Sequence, residues 1–187
     1  MDFSVVKAWL KNHMPEFQQI LAVYGVVTLV VYGWTIYWYL WKLPSWLYFM
    51  SLSEILTVLA YAMVVNFLES LIVIAVPLVL SLLLPVSWFR DKFVARGTIL
   101  LVILLVFLMQ YVTLITTLIG IPPGIGTNVL FAVIATIAVV FLVGRVAFLR
   151  KVVEEIAFRA VIFVYIFVPL TAVSFLVVIV RNVFALR

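Results

Sequence analysis

Glu69 is the side chain best placed for chemistry within an apolar segment of this sequence. It lies in the stretch VVNFLESLIV, inside the run 52–86, which contains no Lys, Arg, His or Asp. Asn66 precedes it by three residues and Ser70 follows it directly, so the three side chains cover one sector of a helix. Acids inside apolar segments are rare and often functional, so this group could hold a proton, an ion or a lipid headgroup.

A second polar group lies in a later apolar segment. Gln110, Thr113 and Thr117 follow an i, i+3, i+7 spacing, which places them on one helix face. The short loop VSWFRDKFVAR joins this segment to the one that carries Glu69, so we expect two antiparallel neighbouring helices. Glu69 is then expected to point into the bundle and to contact Gln110 or Thr113. Both groups together form a candidate polar cluster, which is either a functional site or a set of interhelical hydrogen bonds worth about 0.6 kcal/mol each.

The composition indicates the environment of these residues. Of the 187 residues, 68% are hydrophobic and 10% are charged, whereas an ordinary soluble domain is about a quarter charged. The apolar residues are concentrated in runs longer than the roughly 20 residues that cross a bilayer. The sequence therefore predicts an all-α integral membrane protein, a bundle of five transmembrane helices that forms a single membrane domain over residues 1–187.

The apolar runs predict where these helices lie. The five spans are about 15–41, 59–85, 97–119, 127–147 and 155–180, and residues 1–14 form a short amphipathic helix at the interface. As one helix, the run 52–86 would be about 52 Å long, much longer than the bilayer core of about 30 Å. We therefore favour an interfacial position for residues 46–58, and one strongly tilted helix is the alternative.

Small residues recur at every fourth position along the fourth span. Gly124, Asn128, Ala132, Thr136 and Gly144 follow this spacing, which is interrupted only at position 140. Small side chains at this spacing let two helix backbones approach closely. The strip is therefore predicted to be a helix-packing face for a neighbour within the chain or in a partner protein.

The sequence contains no recognisable catalytic constellation. It has no cysteine and a single histidine, His13, which excludes disulfides, thiol catalysis and a multi-histidine metal site within the chain. Glu69 and Ser70 are adjacent and point apart on a helix, so they do not form a nucleophile–base pair. We therefore predict no catalytic, cofactor-binding or metal site and no enzymatic activity. The basic residues are scattered, which indicates membrane orientation rather than a nucleic-acid partner.

Two functional hypotheses are compatible with these features. The first is a non-enzymatic subunit or assembly partner of a larger membrane complex, whose partners are the lipid bilayer and another membrane protein or a second copy of the chain. The alternative is a small transporter or lipid-handling protein that uses the polar cluster around Glu69 in the outer half of the bilayer. A stable copurifying partner would favour the first hypothesis, and a water-accessible cavity that reaches Glu69 would favour the second.

Basic residues predict the orientation in a plasma membrane of the bacterial inner-membrane type. With the N-terminus in the cytoplasm and the C-terminus outside, nine of the twelve Lys and Arg residues lie on the cytoplasmic side, in agreement with the positive-inside rule.

Single cysteines test this topology, because the chain has no native cysteine. We expect a membrane-impermeant maleimide to label Gly124→Cys in intact cells and to label Asp91→Cys only after permeabilisation. Labelling of both positions from the same side would contradict the five-span topology.

Overall fold

A computed structural model of the chain describes residues 13–117 and 125–185, and all regular elements in these ranges are helical. The elements are α1, Phe17–Trp46; α2, Leu52–Leu83; a short 3-10 helix, Arg90–Lys92; α3, Phe93–Thr117; α4, Ile125–Arg145; and α5, Ala147–Ala185. The all-helical class predicted from the sequence is confirmed. Of the predicted amphipathic segment 1–14, only residues 13 and 14 lie within the described ranges.

The lengths and compositions of these helices are compatible with a membrane bundle. Four segments are long and apolar enough to cross a membrane: α1, α2, Arg90–Thr116 and Ala147–Val183. The described part of α4 gives a shorter apolar helix, Val129–Arg145. Four crossings are thus supported by length and composition, and the fifth depends on α4.

α2 begins at a capping box and then runs without interruption. The Ser51 hydroxyl accepts a hydrogen bond from the Glu54 N–H at 3.3 Å, and the Ser51 N–H donates to the Glu54 carboxylate at 2.7 Å. Reciprocal bonds of this kind satisfy donors that a helix start otherwise leaves without partners. Residues 46–58 are therefore divided between the end of α1, a short turn and the start of α2. The run 52–86 therefore forms one continuous helix over Leu52–Leu83, and the interfacial position of residues 46–58 stays a prediction.

α5 begins eight residues earlier than the predicted fifth span. Val146 is the one residue between α4 and α5, and its N–H still donates to the Leu142 carbonyl at 3.0 Å. Charged side chains then pair along the helix. Arg150 lies 3.9 Å from Glu154, and Arg159 lies 2.6 Å from Glu155, so each pair joins residues four positions apart. Such pairs stabilise a helix surface, so residues 148–154, which lie between the predicted fourth and fifth spans, are helical.

α1 lies at the centre of the bundle. It packs against α2, α3 and α5, whereas α4 packs against α3 and α5. Side-chain contacts show that α1 and α2 are antiparallel, because Tyr24 meets Ser70 and Thr35, eleven residues later, meets Asn66. α1 consequently contributes more buried apolar side chains to the core than any other described helix, among them Ala22, Val23, Val27, Val31 and Tyr32.

α1 and α5 approach each other closely at Gly25 of α1. A Cβ atom at this position would lie 2.7 Å from the Ala160 carbonyl carbon and 2.8 Å from the Val161 nitrogen of α5. These are backbone atoms, which cannot rotate away as a side chain could. Gly33 occupies the same place in a second Val-Tyr-Gly tripeptide on α1, yet a Cβ there would meet nothing within 4 Å. Of these two glycines, only Gly25 is therefore required for helix packing.

We expect Gly25→Ala to lower the stability of the bundle by about 1–3 kcal/mol, the usual cost of overpacking a tight core. Gly33→Ala is the matched control and should leave stability unchanged or raise it slightly, since alanine favours a helix over glycine. Thermal unfolding of both variants in mild detergent measures the difference. Equal shifts in Tm would mean that α1 and α5 do not approach closely at Gly25.

Candidate functional site

Hydroxyl groups recur along the face of α1 that meets its neighbours. They belong to residues spaced by three or four positions, Tyr24, Thr28, Tyr32, Thr35 and Tyr39. The Tyr24 hydroxyl lies 3.0 Å from the Ser70 hydroxyl of α2. The Tyr32 hydroxyl lies 2.8 Å from that of Thr171 on α5. In a bilayer the lipid tails are as apolar as the helix surfaces, so the hydrophobic effect does not select one helix partner over another. Hydrogen bonds of this kind join the helices instead.

Thr35 and Asn66 form the next contact along this line. The Thr35 hydroxyl donates to the Asn66 Oδ1 at 2.9 Å. The Asn66 side chain is only 4% exposed, and its Nδ2 is buried with no hydrogen-bond partner within the described residues. Exchanging the amide oxygen and nitrogen would not change this, because the single bond to Thr35 would then leave Oδ1 without a partner. Burying an unpaired amide group costs about 1–3 kcal/mol, so Asn66 requires a partner that the described residues do not supply.

The unpaired amide lines a groove between α1, α2 and α3, which we call the Glu69 groove. It has a volume of about 530 Å³, within the range of roughly 300–1,000 Å³ that is typical of ligand pockets. Its polar lining comes from Trp34, Thr35, Asn66 and Glu69, and apolar side chains of α2 and α3 form the rest of the wall.

Glu69 lies at the surface of this groove rather than inside the bundle. Its side chain is exposed, so the expectation that it points into the bundle is wrong. The buried stripe of α2 passes through Asn66 and Ser70, and Glu69 is offset from Asn66 by about 60° around the helix. Among the described residues, its carboxyl group has no hydrogen bond and no salt bridge. An acid at the edge of a groove avoids the cost of full burial without a partner.

The structure separates the other members of the predicted polar cluster. Ser70 is fully buried and bonds the Phe67 carbonyl at 2.8 Å as well as Tyr24, so it holds α1 and α2 together. Gln110 is exposed and lines a different groove, beside Gly33. The Thr113 hydroxyl donates to the Met109 carbonyl at 2.8 Å. The side chain of Thr117 lies outside the described residues.

The predicted packing strip on α4 is partly described. Ala132 and Thr136 are half-buried between exposed neighbours, and the Thr136 hydroxyl donates to the Ala132 carbonyl at 2.7 Å. Gly144 is buried against the guanidinium group of Arg96. Gly124 and the side chain of Asn128 lie outside the described residues.

A second groove, between α2 and α5, is slightly larger at about 600 Å³. Two of its hydroxyl groups are bonded within their own helices. Thr57 donates to the Ser53 carbonyl at 2.7 Å, and Ser174 donates to the Leu170 carbonyl at 2.9 Å. None of the buried unpaired polar atoms among the described residues belongs to this groove, so the Glu69 groove is the better candidate for ligand binding.

The chemistry available in the Glu69 groove is hydrogen bonding rather than metal binding. In residues 13–117 and 125–185, no group of three or more His, Cys, Asp or Glu side chains could hold a metal ion. The Asn66 amide can donate, and the Glu69 carboxyl group can accept in either protonation state. No protein-family model, curated protein or solved structure matches this chain, so its function is inferred from the chemistry of the site.

Trp34 and Thr35 are site residues that the sequence interpretation missed. The sequence contains a pattern that indicates Thr35, because the hydroxyl residues of α1 recur at helical spacing on one face.

The Thr35–Asn66 contact can be tested by removing one partner and then both. We expect Thr35→Val to destabilise the bundle by about 1–3 kcal/mol, because it leaves the Asn66 amide fully unpaired, and the double variant Thr35→Val/Asn66→Leu to recover most of that loss. Thr136→Val is the control, since its hydroxyl bonds only its own helix, and its Tm should hardly change. A double variant less stable than Thr35→Val would show that the Asn66 amide has a further structural partner.

Proposed function

We propose that this chain is a five-span protein of a bacterial-type inner membrane that binds the head of a lipid-like amphiphile in the Glu69 groove. The observation that carries the proposal is the Asn66 amide group, which is 4% exposed, lacks a partner at one end and lies beside a carboxyl group in an open groove. A buried polar group without a partner is rare in folded proteins and points to a bound ligand or an ordered water.

The distribution of charge supports the proposed orientation. The 3-10 helix, the start of α3, the end of α4 and the start of α5 meet at one end of the bundle, and they carry Arg90, Lys92, Arg96, Arg145 and Arg150. We call this the basic end. By the positive-inside rule it faces the cytoplasm, which places the N-terminus inside and the C-terminus outside.

The groove lies nearer the opposite end of the bundle. Thr35 is 18 residues from the start of α1 and 11 from its end, and Met109 is 16 from the start of α3 and 8 from its end. Trp34 also belongs to an aromatic group, with its ring 6.2 Å from Tyr37 and 5.8 Å from Trp38. Trp and Tyr favour the headgroup zone of a bilayer, so an amphiphile in the outer leaflet can reach the groove laterally.

The lining of the groove indicates the chemical class of the ligand. The Asn66 Nδ2 group needs an acceptor, such as an ester, phosphate or hydroxyl oxygen, and the Glu69 carboxyl group needs a donor, such as a hydroxyl or amino group. Leu105, Leu108 and Met109 of α3 supply apolar wall for a hydrocarbon chain. A lipid whose head carries a hydroxyl or an amino group next to an ester or phosphate satisfies all three requirements.

Lipids retained by the purified protein test this proposal. We expect the chain, purified from native membranes in mild detergent, to retain one amphiphile at a higher fraction than in the bulk membrane extract, measured by mass spectrometry. Asn66→Leu and Glu69→Leu should lose this enrichment. Glu69→Leu should keep the wild-type Tm, because an exposed and unpaired side chain contributes little to stability.

Gln110→Leu is the matched control for ligand binding. It removes an exposed polar side chain from α3 at a comparable level but in a different groove, so it should retain the amphiphile. A lipid profile identical to that of the bulk membrane in the wild type and in all three variants would contradict the proposal.

Assembly into a larger membrane complex, the first hypothesis from the sequence, stays a prediction. The exposed side chains of α4 and α5 are mainly apolar, and lipid tails cover such a surface as well as a partner helix does. Copurification of a stoichiometric partner protein in the same detergent would support this hypothesis.

A further inference from the structure

Arg96, the fourth residue of α3, is a buried cation with no acidic partner among residues 13–117 and 125–185. Its side chain is 8% exposed, and its Nε is buried with no hydrogen-bond partner within the described residues. Both salt bridges among the described residues lie within α5, where Arg150 pairs with Glu154 and Arg159 pairs with Glu155. A buried charge is costly unless it is paired, so Arg96 calls for a negative group that the described chain does not supply.

Contacts with α4 hold the Arg96 side chain in place. Its guanidinium group lies directly against Gly144, where a Cβ atom would collide with Nε, Nη2 and Cζ. Lys92, one helical turn earlier, donates from Nζ to the Gly144 carbonyl at 2.7 Å. Two cations therefore converge on the last turn of α4. The partial negative charge of a helix C-terminus is only about half an elementary charge, which does not balance both.

The surroundings of this pair resemble the headgroup level of a bilayer. Trp88 is 61% exposed and its ring lies 6.4 Å from that of Phe141, over which the Arg145 guanidinium stacks at 4.6 Å. Exposed aromatic rings beside basic groups at the end of an apolar helix are typical of the membrane interface. The anions most abundant at this level are the phosphate groups of lipids.

We propose that Arg96 and Lys92 bind the phosphate group of an anionic lipid in the cytoplasmic leaflet. The planar guanidinium group suits phosphate because it can donate two parallel hydrogen bonds. Gly144 is needed because any side chain there would displace the guanidinium group. This site depends on the membrane orientation proposed above, but it is independent of ligand binding in the Glu69 groove at the other end of the bundle.

The proposal is tested with phosphatidylglycerol added to the delipidated full chain in mild detergent, with binding followed by native mass spectrometry. We expect Arg96→Gln to weaken the binding of this lipid about tenfold. Arg145→Gln is the matched control, since it removes the same charge from an exposed position at the same end of the bundle, and it should change binding less than twofold. Equal weakening by both variants would indicate general attraction to basic residues and would overturn the site.

Thermal unfolding supplies a second measurement and distinguishes the source of the phosphate. Phosphatidylglycerol should raise the Tm of the wild type and of Arg145→Gln but not that of Arg96→Gln, and inorganic phosphate at the same concentration should raise none of them. If inorganic phosphate alone stabilised the wild type through Arg96, the site would be one for a free anion. If Arg96 were needed to retain an acidic partner protein and not the lipid, the proposal would also be overturned.

A third variant keeps the test decisive if Arg96→Gln does not fold. Arg96→Lys keeps the charge but loses the paired donor geometry of the guanidinium group, so it should fold and bind phosphatidylglycerol more weakly than the wild type. Wild-type binding by Arg96→Lys, together with wild-type binding by Lys92→Gln, would show that neither side chain holds the lipid.

Discussion

A polar group buried among apolar helices needs a hydrogen-bond partner, and this requirement organises the bundle around α1. The hydroxyl groups of Tyr24 and Tyr32 bond side chains of α2 and α5, and Tyr39 donates to the Ile55 carbonyl at 3.1 Å. Apolar contact alone would permit many helix registers, since one aliphatic side chain replaces another with little penalty. Directional bonds combined with the close approach at Gly25 select one register, and the positions of α2, α3 and α5 depend on it.

The same requirement identifies the places where a buried polar group needs a partner that the described residues do not supply. Asn66 and Arg96 are buried, and each has a polar atom without a partner within the described residues. They lie toward opposite ends of the bundle, one beside an exposed carboxyl group and the other beside a second cation. The Thr98 hydroxyl is also buried without a partner; it lies in none of the grooves described above, and the structure assigns it no role.

The two sites differ in the chemistry that they offer to the bilayer. The Glu69 groove combines an amide donor with a carboxyl acceptor and an apolar wall, which suits a head with hydroxyl or amino groups. The pair of Arg96 and Lys92 has only donors and positive charge, which suits a phosphate group. Taken together, the two proposed sites favour the lipid-handling hypothesis over that of a purely structural subunit. The proposed topology places the two sites in different leaflets.

The sequence by itself determined the helical class, the approximate positions of the apolar helices and the polar residues worth examining, because hydrophobic run length and helical spacing are local properties. It could not determine which face of each helix would be buried. Glu69 was expected inside the bundle and is exposed, since the register set by α1 turns Asn66 and Ser70 inward and leaves Glu69 at the edge. In the sequence, Arg96 is one of twelve Lys and Arg residues, and nothing local distinguishes it. Its burial against Gly144 is a feature of the tertiary structure. Only the tertiary structure decided these outcomes, because burial and pairing depend on contacts between residues far apart in the chain.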